Sequence, residues 1–274
     1  MLLKTPSIIK AIIKEKKLVA DLIEKETISG VISDNRFGVY SKKIPSVFIT
    51  HQLKVLSGNT TWITSKIHQY IIKKFDECWI PDVASDFSLS GKLSAVKLKN
   101  IKIKHIGILS RFKPQTSSKK HDILVLLSGV EPQRTLFENK ILKELSNFKG
   151  NVVLVRGVMD NSEIKTPANF KVINYLLGTD LEKIIIASKL IIARSGYSTI
   201  MDLAVLNANV LFVPTLGQFE QEYLAAYLFR KRHIPFFKQH KIKFSDIKNL
   251  NDIGKFGNYS TIFPLEYFSF FERK

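Results

Sequence analysis

The residues best suited to chemistry in this chain fall between Leu190 and Gln221. An apolar run (Leu190, Ile191, Ile192, Ala193) reads as a strand and stops at Arg194-Ser195-Gly196. The chain restarts through Tyr197, Ser198 and Thr199 as a helix that carries Asp202. A strand ending at Ser-Gly and resuming as a helix leaves backbone N–H groups unpaired at the helix N-terminus. Those donors, together with the helix dipole, attract an anion such as phosphate. An acidic residue one to two turns further on can accept hydrogen bonds from ribose hydroxyls, as in dinucleotide-binding folds. A second strand, Val210 to Val213, leads into Pro214 to Gln221, expected as a polar loop. Gln218, Glu220, Gln221 and Glu222 suit sugar hydroxyls, each of which both donates and accepts. The alternative for these four is the acid-rich first turn of a helix.

Three more clusters carry potential chemistry. Ser128-Gly129 closes an apolar strand and precedes a helix-like run with Glu131, Pro132, Gln133 and Arg134, a second candidate anion site or an ordinary βα turn. Arg134 and Arg194 could each neutralise phosphate, and each could equally be structural. Asp34-Asn35-Arg36 and Thr50-His51-Gln52 stand at the ends of two early strands, where carboxyl ends would face an interdomain cleft. His51 has the pKa range of a general base, and Asp34 could take or orient the same proton. The other histidines have no partner at metal-ligand spacing, no Asp-x-Asp motif occurs, and neither a metal nor a cofactor is expected.

The pattern Arg-Ser-Gly-x-x-Thr-x-x-Asp, then a strand ending in Val-Pro, then Gln221, resembles MurG-type glycosyltransferases, specifically the family 28 C-terminal domain. The resemblance implies a GT-B architecture of two Rossmann-like α/β domains and an inverting, metal-independent transfer of a sugar from a UDP-sugar. It assigns the ribose to Asp202, where the family usually has the longer Glu. The diphosphate falls to Ser128, Gly129 and the turn Arg194, Ser195, Gly196 and Thr199. The sugar falls to Gln218, Gln221 and Glu222, the last standing where the family has a second Gln. Helix dipoles and Arg194 would stabilise the charge growing on the diphosphate. The implied acceptor class is lipid-linked or cell-envelope glycan. Measured against the family, the opening strand and its Gly-rich loop are absent, so the first domain is expected to be incomplete. Two other readings stay open: a nucleotide-sugar hydrolase on the same fold, and a non-catalytic basic protein that binds nucleotide or an anionic surface.

The elements that must position these residues alternate strand-like and helix-like segments over 274 residues, which points to largely parallel α/β sheets. A helix runs to Glu26. Strands are expected near Val31 to Asp34, Ser46 to Thr50 and Cys78 to Pro81, with a helix from Thr61 to Phe75. Lys97 to Ile106 alternates lysine with apolar residues, the pattern of an edge strand guarded against pairing. Arg111 to His121 is polar and aperiodic. The domains are expected as 1–112, a linker at 113–120, a nucleotide-sugar-binding domain at 121–249 and a tail at 250–274. The tail's aromatic residues, Tyr267, Phe268, Phe270 and Phe271, suit a return onto the first domain. Helices are further expected at Gln133 to Phe148 and Ala225 to Arg232, and a short strand at Pro235 to Phe237.

Hydrophobic residues make up 45% of the chain, enough for a packed core, yet no run of about 18 apolar residues occurs. The single cysteine, Cys78, forbids an internal disulfide and fits a reducing cytosol. A formal charge of +18 favours anionic partners. Besides a bland lysine-rich surface, peripheral contact with anionic membrane at its inner face is the expected use. Nucleic acid is not expected, because no pattern of stacking aromatics beside Arg and Gly is present.

Overall fold

The computed structural model describes residues 5–159, 163–243, 245, 247, 254–259, 261 and 263–272. It divides into two compact α/β units, one of residues 1–109 with 262–274 and one of residues 110–261.

The first unit opens with helix α1 (Thr5–Glu24) and holds a four-stranded parallel sheet, β1 (Val31–Asp34), β2 (Ser46–Ile49), β3 (Glu77–Ile80) and β4 (Lys102–His105), in that spatial order. The two-residue period of a strand sends alternate side chains to opposite faces. Phe48, Cys78 and Ile80 join Leu53, Ile72 and Phe75 on the face covered by α2 (Thr61–Ile72). Val47 and Trp79 point the other way, against Phe263, Tyr267, Phe270 and Phe271 of the C-terminal segment. Trp79 lies 5.9 Å from the Tyr267 ring and 6.1 Å from the Phe271 ring. Gly30 has no room for a side chain, since a Cβ there would fall 2.3 Å from Phe271. Burial raises the Cys78 thiol to about 12, which leaves it inert as a nucleophile. The lysine-guarded segment is an edge strand, shorter than the alternation suggested. Its Lys104 ammonium reaches Glu77 Oε2 at 2.7 Å and sits over the Tyr267 ring.

The second unit is a five-stranded parallel sheet of β5 (His121–Leu126), β6 (Val152–Val155), β7 (Phe170–Ile173), β8 (Ser188–Ala193) and β9 (Val210–Phe212), in the order β7-β6-β5-β8-β9. Helices α3 (Gln133–Glu144), α4 (Gly178–Ile186), α5 (Tyr197–Val205) and α6 (Phe219–Arg232) connect or flank the strands. One face buries Ile123, Val125, Leu154, Ile192 and Leu211 against Phe137 and Ile141 of α3. Each such side chain contributes about 1.5–3 kcal/mol on burial. Successive strands run outward from β5 in one direction and from β8 in the other. The chain therefore reverses its winding between two neighbouring strands, and the crevice beyond their carboxyl ends is where open α/β sheets bind ligands.

Two expectations about elements need correction. Helix α6 begins at Phe219 and not at Ala225, with Gln218 as its N-cap. Glu220 and Glu222 in its first turn and Arg230 to Arg232 in its last both complement the helix dipole. The strand expected at Pro235 to Phe237 is a single bridge between Phe212 and Phe236.

Candidate functional site: an uncapped helix end beside a shielded carboxylate

The reversal between β5 and β8 brings two strand–loop–helix connections side by side, with Leu126 opposite Ala193 in register. Ser128 and Gly129 follow β5, and Gly196 follows β8 as the N-cap of α5. As a glycine, this N-cap has no side chain to offer α5. A Cβ added at Gly196 or at Gly129 would meet nothing within 4 Å, so open space lies in front of both. Gly129 also has φ +104°, which L side chains rarely adopt. A cavity of about 310 Å³ opens beside Gly129, lined also by Arg111, Ser128, Tyr175, Leu177 and, from α5, Thr199. That volume is at the small end of ligand pockets.

Asp202 lies three residues beyond Thr199, one helical turn deeper along α5. Its carboxylate accepts the Ser110 hydroxyl at 2.6 Å and stands 3.4 Å from Arg111 Nε. Burial pushes its carboxyl above the usual carboxylate range, while the Ser110 hydroxyl and the charge and hydrogen bonds of Arg111 pull it part of the way back. Ser110 and Arg111 are held in turn. Phe112 is buried, Phe112 N–H donates to the Ser110 hydroxyl at 3.1 Å, and Lys113 N–H donates to Glu182 at 3.0 Å.

Arg194, expected beside the diphosphate, is held inside the protein. It is 1% exposed, and its guanidinium donates to the carbonyls of Val213, Pro214 and Gln133 and to Gln239 Oε1. The guanidinium also lies 4.2 Å from the centre of the Phe137 ring. Burial lowers its pKa to about 10, which still leaves it charged at neutral pH. It ties β9, α3 and the Gln239 segment together. Arg134 is likewise committed, buried between Glu131 and Glu138. Ser195 is buried too, its hydroxyl donating to the Gln221 carbonyl at 2.8 Å.

The expected sugar-facing group is also more committed than its composition suggested. Gln221 Oε1 accepts Thr215 N–H at 2.9 Å, and Glu222 Oε1 accepts Gly217 N–H at 3.2 Å. Both side chains thus brace the turn before α6. Glu222 lines a separate, mostly apolar cavity of about 230 Å³ with Pro214, Leu216 and Phe236, and Gln218 is exposed. The Ser128–Gly129 connection is closed differently again. Glu131 accepts Thr135 N–H and Arg134 Nε, so a carboxylate from the chain itself occupies the start of α3.

In the first unit, Asp34 ends β1 and pairs in register with Ile49, and His51 follows two residues later. Both stand at the carboxyl edge of the sheet, Asp34 exposed and His51 half-buried. His68 of α2 is a core residue between Phe37 and Phe48. Burial lowers it to about 4 against the opposing pull of a Gln52 backbone hydrogen bond, with His51 adding to the decrease.

Ser110 and Arg111 escaped the reading of the sequence. They stand at the start of an aperiodic polar stretch, and the one local signal is Phe112, an aromatic residue in a segment otherwise fit for solvent. Tyr175 and Leu177 escaped for a similar reason, as they follow a short strand without any recognisable motif. Among the described residues, no cluster of His, Cys, Asp and Glu is arranged to hold a metal ion, and no helix is long and apolar enough to cross a membrane.

Two Rossmann-like α/β units with parallel sheets, the second with a crevice at its reversal point, have the GT-B fold. Residues 133–251, within the second unit, match the glycosyltransferase family 28 C-terminal domain. The glycotransferase of kitacinnamycin is similar at a TM-score of 0.64 and 12% identity, over 90% of this chain and 73% of that one. MurG of Acinetobacter baumannii is similar at 0.56 and 13%, over 89% and 68%. The UDP-GlcNAc 2-epimerase of Neisseria meningitidis, in a structure bound to UDP-GlcNAc, is similar at 0.58 and 12%, over 95% and 74%. At these identities the likeness shows the fold. No curated protein matches the chain.

Proposed function

We propose that the chain transfers a sugar from a nucleoside diphosphate sugar, with UDP-sugars as the leading donors, to an acceptor hydroxyl, inverting the anomeric centre. The observation that carries this reading is the cavity bordered by Ser128, Gly129 and, from the first turn of α5, Thr199, which lies one helical turn from Asp202. A diphosphate at that helix end would be met by backbone N–H groups and the positive end of the dipole. As the anomeric C–O bond breaks, negative charge grows on the leaving diphosphate, and these fixed donors stabilise it without reorganising. Asp202 holds ribose, and Arg111, half-exposed on the cavity wall, supplies the mobile positive charge first assigned to Arg194. His51 and Asp34 are the candidates for the base that takes the acceptor proton. Nothing in the site favours a particular sugar or acceptor.

Calorimetric titration with UDP, with GDP as control and repeated on Asp202→Ala, tests the donor site. Saturable UDP binding weakened at least tenfold by the substitution is the expected result. A folded chain that binds no nucleotide would sink the transferase reading. The hydrolase reading rests on the same fold and predicts release of free sugar with no acceptor present.

The membrane partner has its own support. The outer side of α2 exposes Trp62, Ile63, Ile67 and Tyr70, with Lys66 over the Trp62 ring and Lys74 over the Tyr70 ring. Aromatic rings with lysines suit the headgroup level of an anionic bilayer, where each Lys adds about 1 kcal/mol. Co-sedimentation with anionic vesicles, lost with neutral vesicles and reduced by Trp62→Glu, is the expected outcome. Equal binding to both vesicle types would reject it.

A further inference from the structure

We propose a second anion site in the second unit, at the edge of the sheet opposite the donor crevice, which takes a phosphate monoester group between Lys119 and Lys255. The site stands apart from the donor reading and does not depend on it.

A cavity of about 290 Å³ lies at this edge. Its walls come from Ser117 and Lys119 ahead of β5, from Ile186 at the end of α4, and from Asn207 and Asn209 between α5 and β9. Each of these segments leads into the start of a strand, so the cavity opens at the amino edge of the parallel sheet. Lys255 joins the wall from the segment after α6, where Gly254 N–H donates to the His233 carbonyl at 3.2 Å. Helix α5 runs nine residues from the donor turn to this cavity, about 13 Å at 1.5 Å per residue. The body of the helix separates the two sites.

Both lysines border one cavity that no aspartate or glutamate lines. Lys119 Nζ donates to the Ile186 carbonyl at 2.8 Å, and Lys255 Nζ donates to Asn209 Oδ1. An ammonium has three donors, so each lysine keeps two for water or a ligand. Ser117 and Asn207 bring a hydroxyl and an amide to the same wall. Asp122, the acid at the start of β5, is already paired with Lys189 at 2.7 Å and accepts Asn151 N–H.

Service to helix ends accounts for only part of this positive charge. Helices α4 and α5 both finish here, and each C-terminus carries about half a negative charge. Together they balance about one lysine of the two. The surroundings add more of the same sign. The His121 imidazole is lowered first by burial and then by Lys171 and Lys120, against the pull of Asp122. Burial also lowers the Lys119 ammonium, and Lys255 adds to the decrease. Like charges therefore repel across the cavity, and a bound anion removes that repulsion. A phosphate monoester carries about −1.5 to −2 at neutral pH and matches two ammonium groups, whereas a single carboxylate matches one. The volume, at the small end of ligand pockets, suits a group of this size.

The test pairs two probes with the same phosphate chemistry. Glycerol 3-phosphate is titrated calorimetrically into the full chain at low ionic strength. Vesicles of phosphatidic acid in phosphatidylcholine, which present that group on a surface, are co-sedimented with it, with Trp62→Glu throughout so that α2 does not dominate. Each probe is run without further change, with Lys119→Gln/Lys255→Gln, with Lys143→Gln/Lys149→Gln, and with Gly196→Ala. The second pair removes two exposed lysines outside the cavity. Thermal melts verify folding. Saturable glycerol 3-phosphate binding should weaken roughly tenfold or more in Lys119→Gln/Lys255→Gln and less than about twofold in the other two variants. The same pattern with vesicles alone supports the site and assigns its phosphate to a lipid headgroup. An equal loss in both lysine pairs would reduce the cavity to part of a general basic field and overturn the proposal. Loss in Gly196→Ala alone puts the anion at α5 and overturns it too, as does the failure of both probes to bind.

Discussion

Two neighbouring connections in the second unit start from nearly the same local script and end in opposite states. After β5 the chain runs through Ser128 and Gly129 into α3, and after β8 through Ser195 and Gly196 into α5. At α3 the chain supplies its own anion: Glu131 accepts Thr135 N–H, and Arg134 closes over it. At α5 the N-cap is Gly196, and a Cβ added there would meet nothing within 4 Å. A helix N-terminus binds a ligand only if the chain leaves it unfilled. The two arginines nearest the site repeat the contrast. Arg194 makes four hydrogen bonds inside the protein and holds the framework, whereas Arg111 is half-exposed beside Asp202 and borders the cavity.

The largest effect expected from breaking this contrast is at the arginines. Arg194→Ala would leave three carbonyls and a side-chain amide oxygen without their donor, and should cost about 3–5 kcal/mol in chemical denaturation. Arg111→Ala should cost under about 1 kcal/mol, since the contacts it removes, with Asp202 and the Phe112 ring, are half-exposed, while weakening UDP binding. A comparable loss of stability in both variants would mean that the division between framework and ligand arginine is wrong.

The glycines come next. Gly129→Ala forces a side chain to φ +104° and should destabilise by about 1–3 kcal/mol. Gly196→Ala has an ordinary φ of −70° and free space, so the melting temperature should hardly move. Nucleotide affinity should nonetheless fall, because the new methyl projects in front of α5. Unchanged affinity in Gly196→Ala would place the anion elsewhere.

The smallest and most diagnostic effect is in pH. Burial raises the Asp202 carboxyl, so its contribution to folding is fully present below the unfolded-state pKa and is lost as pH rises through the folded value. Ligand binding needs the ionised form and runs the other way, weakening as pH falls toward that raised value. Asp202→Asn should therefore melt slightly higher than the unaltered chain at neutral pH while binding UDP less well, and its affinity should lose the acid-side decline. A lower melting temperature in Asp202→Asn would show that the carboxylate is held for stability.

Much of the fold was legible from periodicity. The alternation of apolar strands with helix-like runs indicated parallel α/β sheets, and the lysine pattern around Lys102 and Lys104 indicated an edge. The start of α6 was missed because Pro214 and Gly217 read as loop, although Gln218, Glu220 and Glu222 form the cap and acidic first turn of a helix. At the site, the Ser-Gly-to-helix turn with Asp202 on it could be recognised, since its parts are contiguous.

The division follows the range of the interactions. The sequence by itself determined which segments become strands and helices, and that a helix N-terminus and an acidic residue one turn away would share α5, because these depend on neighbours within about one helical turn. Only the tertiary structure decided which arginine is spent on the framework, which helix end is filled by Glu131, and that Ser110, 92 residues distant along the chain, donates to the Asp202 carboxylate. Those outcomes turn on burial and on competition for hydrogen-bond partners, and neither exists until the sheet has brought β5, β8 and the Ser110 segment together.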